Sequence, residues 1–481
     1  MHRQSIIVTL AATGLFVPNP ATSADIITVC ASGCRETSIN AAIDTAEDGD
    51  VILLSAETYF EGMVVDPVGK AITLRGATDR KGNAVSIIDG GDSHRVLQCR
   101  SGEGSGTSFE NLVIRNGSSH LGGGMYNQGS GPTLENCTFM GNSADNDAGG
   151  MYNLGSSPIL IDCTFDGNSA STAGGMTNYD RSSPTLSGCV FTGNTASVAG
   201  GMLNLGSSSP TLVDCAFNDN SAGYFCGGIF NLGNSSPNLT NCRFEGNSSV
   251  GSHGGMLNAE SSNPVLTGCT FAYNSATRGG GMSNQDTSMP TMSGCLFMNN
   301  AAELGGGLYN AFGSDPVLND CTLTGNTAVM GGAMWNGGSS PDLTDCTFTG
   351  NHADTGGGIY NHDDGIPSLD GCTFTGNSAV LGGGIFNLDD IRPILIDCRF
   401  TECCQIDPPR SIVDLGGNIY ESWCDDCRGN VDCRDDAVDV EDLQYLLTRW
   451  NTDDPQCDLD DDGVVRAGDL GLLLAAWGPC E

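Results

Sequence analysis

The chain has 481 residues, 69 of them glycine, with 6% aromatics and a formal net charge of −38. It is too long for one ordinary core and too poor in bulky side chains to fill one, so many small cross-sections stacked in a row are expected. The excess of 57 acids over 19 bases, with Lys70 and Lys81 the only lysines, excludes nucleic acid and anionic membrane surfaces as partners.

The first 24 residues read as an export signal. His2 and Arg3 precede the apolar run IIVTLAATGLFV, and Thr22 and Ala24 are small residues before a cut near Asp25. No later stretch is long and apolar enough for a transmembrane span. A secreted or cell-surface protein is therefore expected, in a compartment where its 22 cysteines can oxidise. Residues 25–110 follow as an N-terminal cap and first coils. Within them Ile39, Ala42, Ile43 and Ala46 give one apolar helical face, suited to covering the open end of a stack.

From residue 111 to 400 one unit of about 26 residues recurs. Its cysteines, Cys137, Cys163, Cys189, Cys215, Cys242, Cys269, Cys295, Cys321, Cys346, Cys372 and Cys398, stand 25 to 27 residues apart. Two residues after each comes phenylalanine, from Phe139 to Phe400, except at Leu323. Three before is an apolar side chain such as Leu134, Leu186 or Leu343, and five before is a proline, from Pro132 to Pro393. The residue just before cysteine is always Asn, Asp or Gly, the types that best tolerate left-handed backbone, which predicts a sharp corner there. Proline donates no ladder hydrogen bond and belongs at a strand's first residue or a bend. After the glycines a third strand carries an apolar slot, from Met125 to Ile385, and an asparagine two residues on, from Asn127 to Asn387.

Recurrent proline and glycine argue against a helical repeat. Each unit reads as three short strands and three corners, stacked so that every strand pairs with its copy above and below at about 4.8 Å. Cysteine, phenylalanine and methionine then fill a narrow interior, and the asparagine amides bond to one another. The cysteines are expected to be small core residues. Parallel Cβ vectors hold stacked copies too far apart for disulfides, and side chains all pointing one way do not make a metal cluster.

The pair FxGN and GGGM/I, over Phe109 to Phe400, resembles the repeat of polymorphic outer-membrane proteins and related β-helices of the pectin-lyase-like superfamily. The segment SINAAIDTAEDGDVILLSAETYFEGMVV, with KAITLRG after it, resembles the cap and first coils of the same superfamily. The fold this implies is all-β: a right-handed, single-stranded parallel β-helix, here carrying a small α-helical module at its C-terminus.

Strand alternation points the residue between the methionine and asparagine slots outward. Seven of its eleven occupants are aromatic: Tyr126, Tyr152, Phe230, Tyr309, Trp335, Tyr360 and Phe386. Such a row is a candidate ligand-binding site for sugar rings or a protein partner; the alternative is that the rings shield the strand or lie under a loop. For catalysis, the superfamily implies calcium-binding carboxylates with an Arg or Lys base, or an Asp cluster with His and Lys. Between Asn116 and Cys398 the only basic residues are Arg181, Arg243, Arg278 and Arg392. The best acid and histidine cluster is His352 and Asp354 with His362, Asp363 and Asp364, where a base and paired carboxylates would meet in neighbouring corners. The uniformity of the coils speaks against an elaborated active site.

Residues 401–429 read as a linker or cap. In 430–481, DLDDDGVVRAGDL places Asp458, Asp460, Asp462 and Asp469 at positions 1, 3, 5 and 12 of an EF-hand loop, with Gly463 at 6 and Val464 offering its carbonyl. Arg466 departs from the small polar residue usual at position 9. DDAVDVEDLQYLLTRW matches DGVVRAGDLGLLLAAW and puts Asp435, Asp439 and Asp442 at positions 5, 9 and 12 of a second loop, degraded by Val431 and Cys433. Two loop–helix units with Asp at position 12 resemble a dockerin, and WGPCE resembles a GC-type dockerin tail. The resemblance implies Ca2+ as cofactor and a cohesin-like partner or cell-surface anchoring. The function expected is a secreted or cell-surface, non-catalytic β-helix that binds polysaccharide, cell-surface glycan or another surface partner, held by a calcium-dependent tail. The alternative is an extracellular polysaccharide lyase or glycoside hydrolase on the same scaffold.

Overall fold

The computed structural model describes residues 24–388, 391–401, 406–407, 412–420, 437–438, 440–451, 459 and 464–479. All but the last residue of the expected export signal lies outside them. Three parallel sheets of 16, 15 and 13 strands build a β-solenoid of about 14 turns. One representative turn contributes Thr133–Glu135, Thr138–Met140 and Met151–Leu154 to the three sheets. The stacking is residue on residue: Leu134 pairs with Leu160, Phe139 with Phe165 and Met125 with Met151. A slip of one residue would turn each apolar slot to solvent, so the period of the sequence dictates the register.

The corners are where the sequence places them. Asn136, Asp162, Asp214, Asn241, Asp320, Asp345 and Asp397 have φ between 49° and 53°, and Gly188, Gly268, Gly294 and Gly371 occupy the same slot at 60° to 64°. Inside, phenylalanine rings stack with centroids 4.5 to 5.0 Å apart from Phe139 to Phe297. Leu323 interrupts the column, which resumes at Phe348 and Phe374 with a 4.6 Å spacing. The ladder cysteines are buried and free. Their thiols turn to corner carbonyls, as Cys163 Sγ does to Ile161 (3.4 Å) and Leu134 (3.6 Å), and burial pushes the Cys163 thiol well above its usual range. Among the described residues the one disulfide joins Cys30 to Cys34.

Three buried polar ladders run beside the apolar columns. The expected one links side-chain amides from Asn127–Asn153 (2.8 Å) to Asn361–Asn387 (2.7 Å). A second, through the asparagine of each FxGN, runs from Asn142 to Asn377. Each of its members holds the neighbouring amide and a phenylalanine-slot carbonyl; Asn220 Nδ2 donates to Asn247 Oδ1 (3.0 Å) and the Phe191 carbonyl (2.9 Å). A third passes backbone N–H to serine Oγ from Ser130 to Ser339, and Glu103 accepts from Ser130 Oγ at its head. Each ladder pairs polar groups that the narrow interior would otherwise leave unmet.

The N-terminal end is closed by α1 (Ile39–Thr45), with Ile39, Ala42 and Ile43 buried and Ser38 capping Ala41 N. The carboxylate of Glu61 takes the Ile39 N–H at 2.7 Å. Near the C-terminus α2 (Val440–Thr448) and α3 (Ala467–Ala475) share a small core of Val438, Leu446, Leu459, Val465 and Leu473.

The expectation of three strands per coil needs correction. A fourth, six-stranded parallel sheet runs from Ser118–Leu121 to Ser248–Ser249, and continues as single bridges from Ser248 and Ser275 to His352 and Ser378. After each inward asparagine the chain swings out over the third sheet, and the glycines bring it back. A Cβ on Gly150 would run into the Gly175 carbonyl oxygen and the Phe165 ring, which favours glycine at the return, and only in one coil does alanine, Ala333, fill the same slot.

Candidate functional site

That detour decides the fate of the aromatic row. Alternation does point it away from the interior, but the outer face of the third sheet is roofed. Tyr126, Tyr152, Phe230, Tyr309 and Tyr360 are 8%, 7%, 6%, 4% and 7% exposed. Tyr126 and Tyr152 pack with Ala148 and Leu121; Phe230 packs with Ala173, Ala199, Cys226, Leu203 and Leu257. A row open to solvent along its whole length is therefore ruled out. The rings line a second, thinner apolar layer between sheet and covering loops. Their faces are also engaged: Tyr309 stacks on Trp335 at 4.6 Å and Tyr360 on Phe386 at 5.3 Å.

Where the row has threonine or serine instead of a ring, at Thr177 and Ser283, the roof supplies a polar group. Asp147 reaches Thr177 Oγ1 at 2.6 Å, and burial pushes its carboxyl up to about 6. His253, nearly fully buried, sits over Ser283 with Nδ1 and Oγ 2.7 Å apart. Ser283 Oγ donates a hydrogen bond to the Arg278 carbonyl (3.3 Å), and Gln285 Nε2 lies 3.3 Å from His253 Nε2. Burial and the nearby Arg278 charge drive the His253 pKa down to about 3, so the ring is neutral.

Trp335 and Phe386 keep partial exposure. The Trp335 indole lies back over Gly337, where Leu154, Tyr179 and Leu205 stand in other coils; a Cβ on Gly337 would strike Cη2. Its Nε1 is buried and has no hydrogen-bond partner among the described residues. His362 stacks at 6.2 Å from Trp335 and 6.4 Å from Tyr360, with Nδ1 2.8 Å from Asp363 Oδ2.

The acid and histidine cluster is divided between two corners. His352 is exposed in the covering loop and meets Ser378 Oγ at 3.0 Å, with Asp354 in the same loop. His362 ends the third-sheet strand, and Asp363 and Asp364 form the next turn with φ of 56° and 59°. That pair repeats the turn geometry of Asp180–Arg181 and Asp286–Thr287. Among the described residues no hydrogen bond or ion pair joins His352 or Asp354 to the other three.

For the calcium loops, Asp435, Asp439, Asp458, Asp460 and Asp462 lie outside the described residues, as does the side chain of Asp442. Val464 precedes α3, and Asp469 is buried within it, Oδ2 accepting the Arg466 N–H at 2.6 Å. A buried carboxylate at the loop's last position suits an oxygen cage. Among the described residues no three His, Cys, Asp or Glu are grouped to hold a metal ion, and no helix is long and apolar enough to cross a membrane.

One exposed feature escaped the sequence reading. Tyr224, Phe225 and Val250 are 67%, 44% and 88% exposed on neighbouring covering loops. The signal was present in the 27-residue steps from Cys215 to Cys242 and Cys242 to Cys269. In each the extra residue lies between the FxGN asparagine and the apolar slot, and pushes the loop outward.

Comparison with known proteins agrees with this architecture. The family described as the right-handed β-helix region matches residues 71–236 and 179–328, and the Chlamydia polymorphic membrane protein repeat matches residues 345–362. No curated protein matches the chain. Among solved structures, pectate lyase Pel9A is similar at 14% identity, covering 92% of this chain and 89% of its own, with a TM-score of 0.32. A PL6 alginate lyase in complex with a trisaccharide is similar at 11% identity over 79% and 85%, TM-score 0.44. The A-module of the Azotobacter vinelandii mannuronan C-5 epimerase AlgE4 is similar at 14% over 80% and 95%, TM-score 0.33.

Proposed function

This chain belongs to the right-handed β-helix family, and we propose that it is a secreted or cell-surface, non-catalytic member that binds glycan on the flank of its solenoid at Trp335. The observation that carries this reading is exposure: of the seven rings, Trp335 and Phe386 keep partial contact with solvent, and the half-buried His362 stacks beside Trp335. Their ring edges can cover apolar sugar faces while His362 offers a polar contact to a sugar hydroxyl. Of the seven aromatics in the row, these two are thus the contacts, and the roofed Tyr126, Tyr152, Phe230, Tyr309 and Tyr360 support them. The proposal predicts retention on a glycan panel that Trp335→Ala lowers tenfold or more, about 1.4 kcal/mol, with Trp335→Phe falling between. Folding is checked by an unchanged thermal midpoint. Unsaturated or reducing ends released from a polysaccharide would instead favour the lyase or hydrolase reading, with His352, Asp354, His362, Asp363 and Asp364 as first targets.

The C-terminal module completes the proposal as a calcium-dependent, dockerin-like anchor for a cohesin-like partner or the cell surface. Asp458, Asp460, Asp462, Val464 and Asp469 would supply the stronger cage, and Asp435, Asp439 and Asp442 a weaker one. Calcium at a hundredfold excess over its dissociation constant is expected to stabilise the module by about 2.7 kcal/mol. Differential scanning calorimetry with calcium and with chelator checks this. An unchanged module transition, or the same gain in Asp460→Asn, would count against the cage.

A further inference from the structure

Resting on the reading of Trp335 as a glycan site, we infer that its ligand is a neutral, extended glycan and that polyuronates are excluded. The first argument is charge. The stretch from Tyr309 to Phe386 is bordered on the covering-loop side by exposed Glu303 and Asp354 and on the turn side by exposed Asp363 and Asp364. These loops are stacked: Val329 N donates to the Glu303 carbonyl, Asp354 N to that of Val329, and Val380 N to that of Asp354. The two carboxylates therefore line one edge of the row, not separate places. Between residues 300 and 398 twelve side chains are acidic and one, Arg392, is basic. Arg95 and Arg100 lie over Tyr126 at the other end of the row; between Tyr309 and Phe386 the guanidinium over a ring is Arg278, 5.9 Å above Tyr309 at the far end from Phe386.

A uronate chain laid along this flank would carry one carboxylate per sugar past those four. Like charges repel over about 8 Å at physiological ionic strength, so each uronate passing these exposed carboxylates loses affinity. A neutral sugar meets no such penalty, and its hydroxyls suit His362.

The second argument is length. The two exposed rings, Trp335 and Phe386, stand two coils apart with Tyr360 between them, 6.5 Å from the first and 5.3 Å from the second, so a chain that touches both must run extended along the solenoid axis. A strongly curved chain would leave the flank after one or two contacts.

The test uses the full chain in isothermal titration against cellohexaose, mannohexaose, hexagalacturonate and hexamannuronate, each in calcium and in chelator, because calcium can bridge carboxylates. The expected result is that a neutral hexaose binds at least tenfold more tightly than either uronate in both buffers, with little dependence on salt. Equal or tighter binding of a uronate in either buffer overturns the inference and leaves the glycan site standing. Failure of all four to bind, or neutral binding that survives in Trp335→Ala, removes the site itself and the inference with it.

Discussion

Replacing Asn220 with alanine is expected to destabilise the solenoid by about 2 kcal/mol or more. Asn220 Oδ1 accepts the Asn194 backbone N–H (3.1 Å) and Nδ2–H (2.9 Å), while its own Nδ2 serves Asn247 Oδ1 and the Phe191 carbonyl. The site is fully buried. Truncation removes four hydrogen bonds to the two flanking coils; Asn247 Oδ1 keeps the Asn220 backbone N–H (3.2 Å), while the Asn194 backbone N–H and one Asn194 Nδ2–H lose their acceptor, and each unmet group costs about 1–3 kcal/mol. Water entering the space left by the amide recovers part of the loss, which is why the lower end of that sum is taken. Because coils touch only their neighbours, the defect also weakens the coupling between the two halves of the stack. Urea unfolding and limited proteolysis check it, with new cleavage expected in the covering loops near residues 197 and 223. Thr240→Ala, an outward-facing change on the first sheet, is the control and should shift stability by less than about 0.5 kcal/mol. A loss below about 1 kcal/mol for Asn220→Ala would mean that the amide ladder is dispensable.

Acid is expected to unfold the wild type more readily than His253→Gln. His253 has a folded pKa of about 3 against an ordinary 6.5. Between those values the unfolded chain binds a proton that the folded chain refuses, so stability falls as pH drops from 6.5 towards 3. From pH 7 to pH 4 the difference is about 3 kcal/mol at 1.36 kcal/mol per unit. Asp147 opposes part of this, since its raised pKa of about 6 makes the folded state favour the protonated carboxyl as pH falls through that value. The His253→Gln variant retains Asp147 and should therefore lose that much less stability over the same range. Glutamine keeps a donor for Ser283, so its own cost at pH 7 is modest. Parallel denaturation curves for the two proteins at pH 7 and pH 4 would show that His253 titrates normally and that its burial has been misjudged.

Two features of the site show the limit of a linear reading. The outward direction of Tyr126 and Trp335 was correct, because strand alternation is a local property. Their exposure was open along the chain between solvent and a covering loop, and the structure divides them, Tyr126 roofed and Trp335 partly exposed: the roof comes from the covering loop of each coil, and the SA and TA pairs within it carry no apolar pattern that marks them as a strand. His253 and Asp147 were likewise invisible as partners of Ser283 and Thr177, some 30 residues away. The cluster from His352 to Asp364 looked compact along the chain and is divided in space by one covering loop and one strand.

What the sequence alone determined was what the period sets: the number of coils between 111 and 400, their register, the left-handed corners before each cysteine, the apolar interior columns and the ladder from Asn127 to Asn387. Those follow because a repeat of fixed length stacks like on like, and a side chain one position off would lose its burial. What only the tertiary structure decided was which outward residues still meet solvent. A covering loop lies over the strand that follows it, and whether it shields a ring depends on contacts with the coils above and below. The partial opening at Trp335 arises from Gly337 beneath its ring, and no composition or spacing rule reports that.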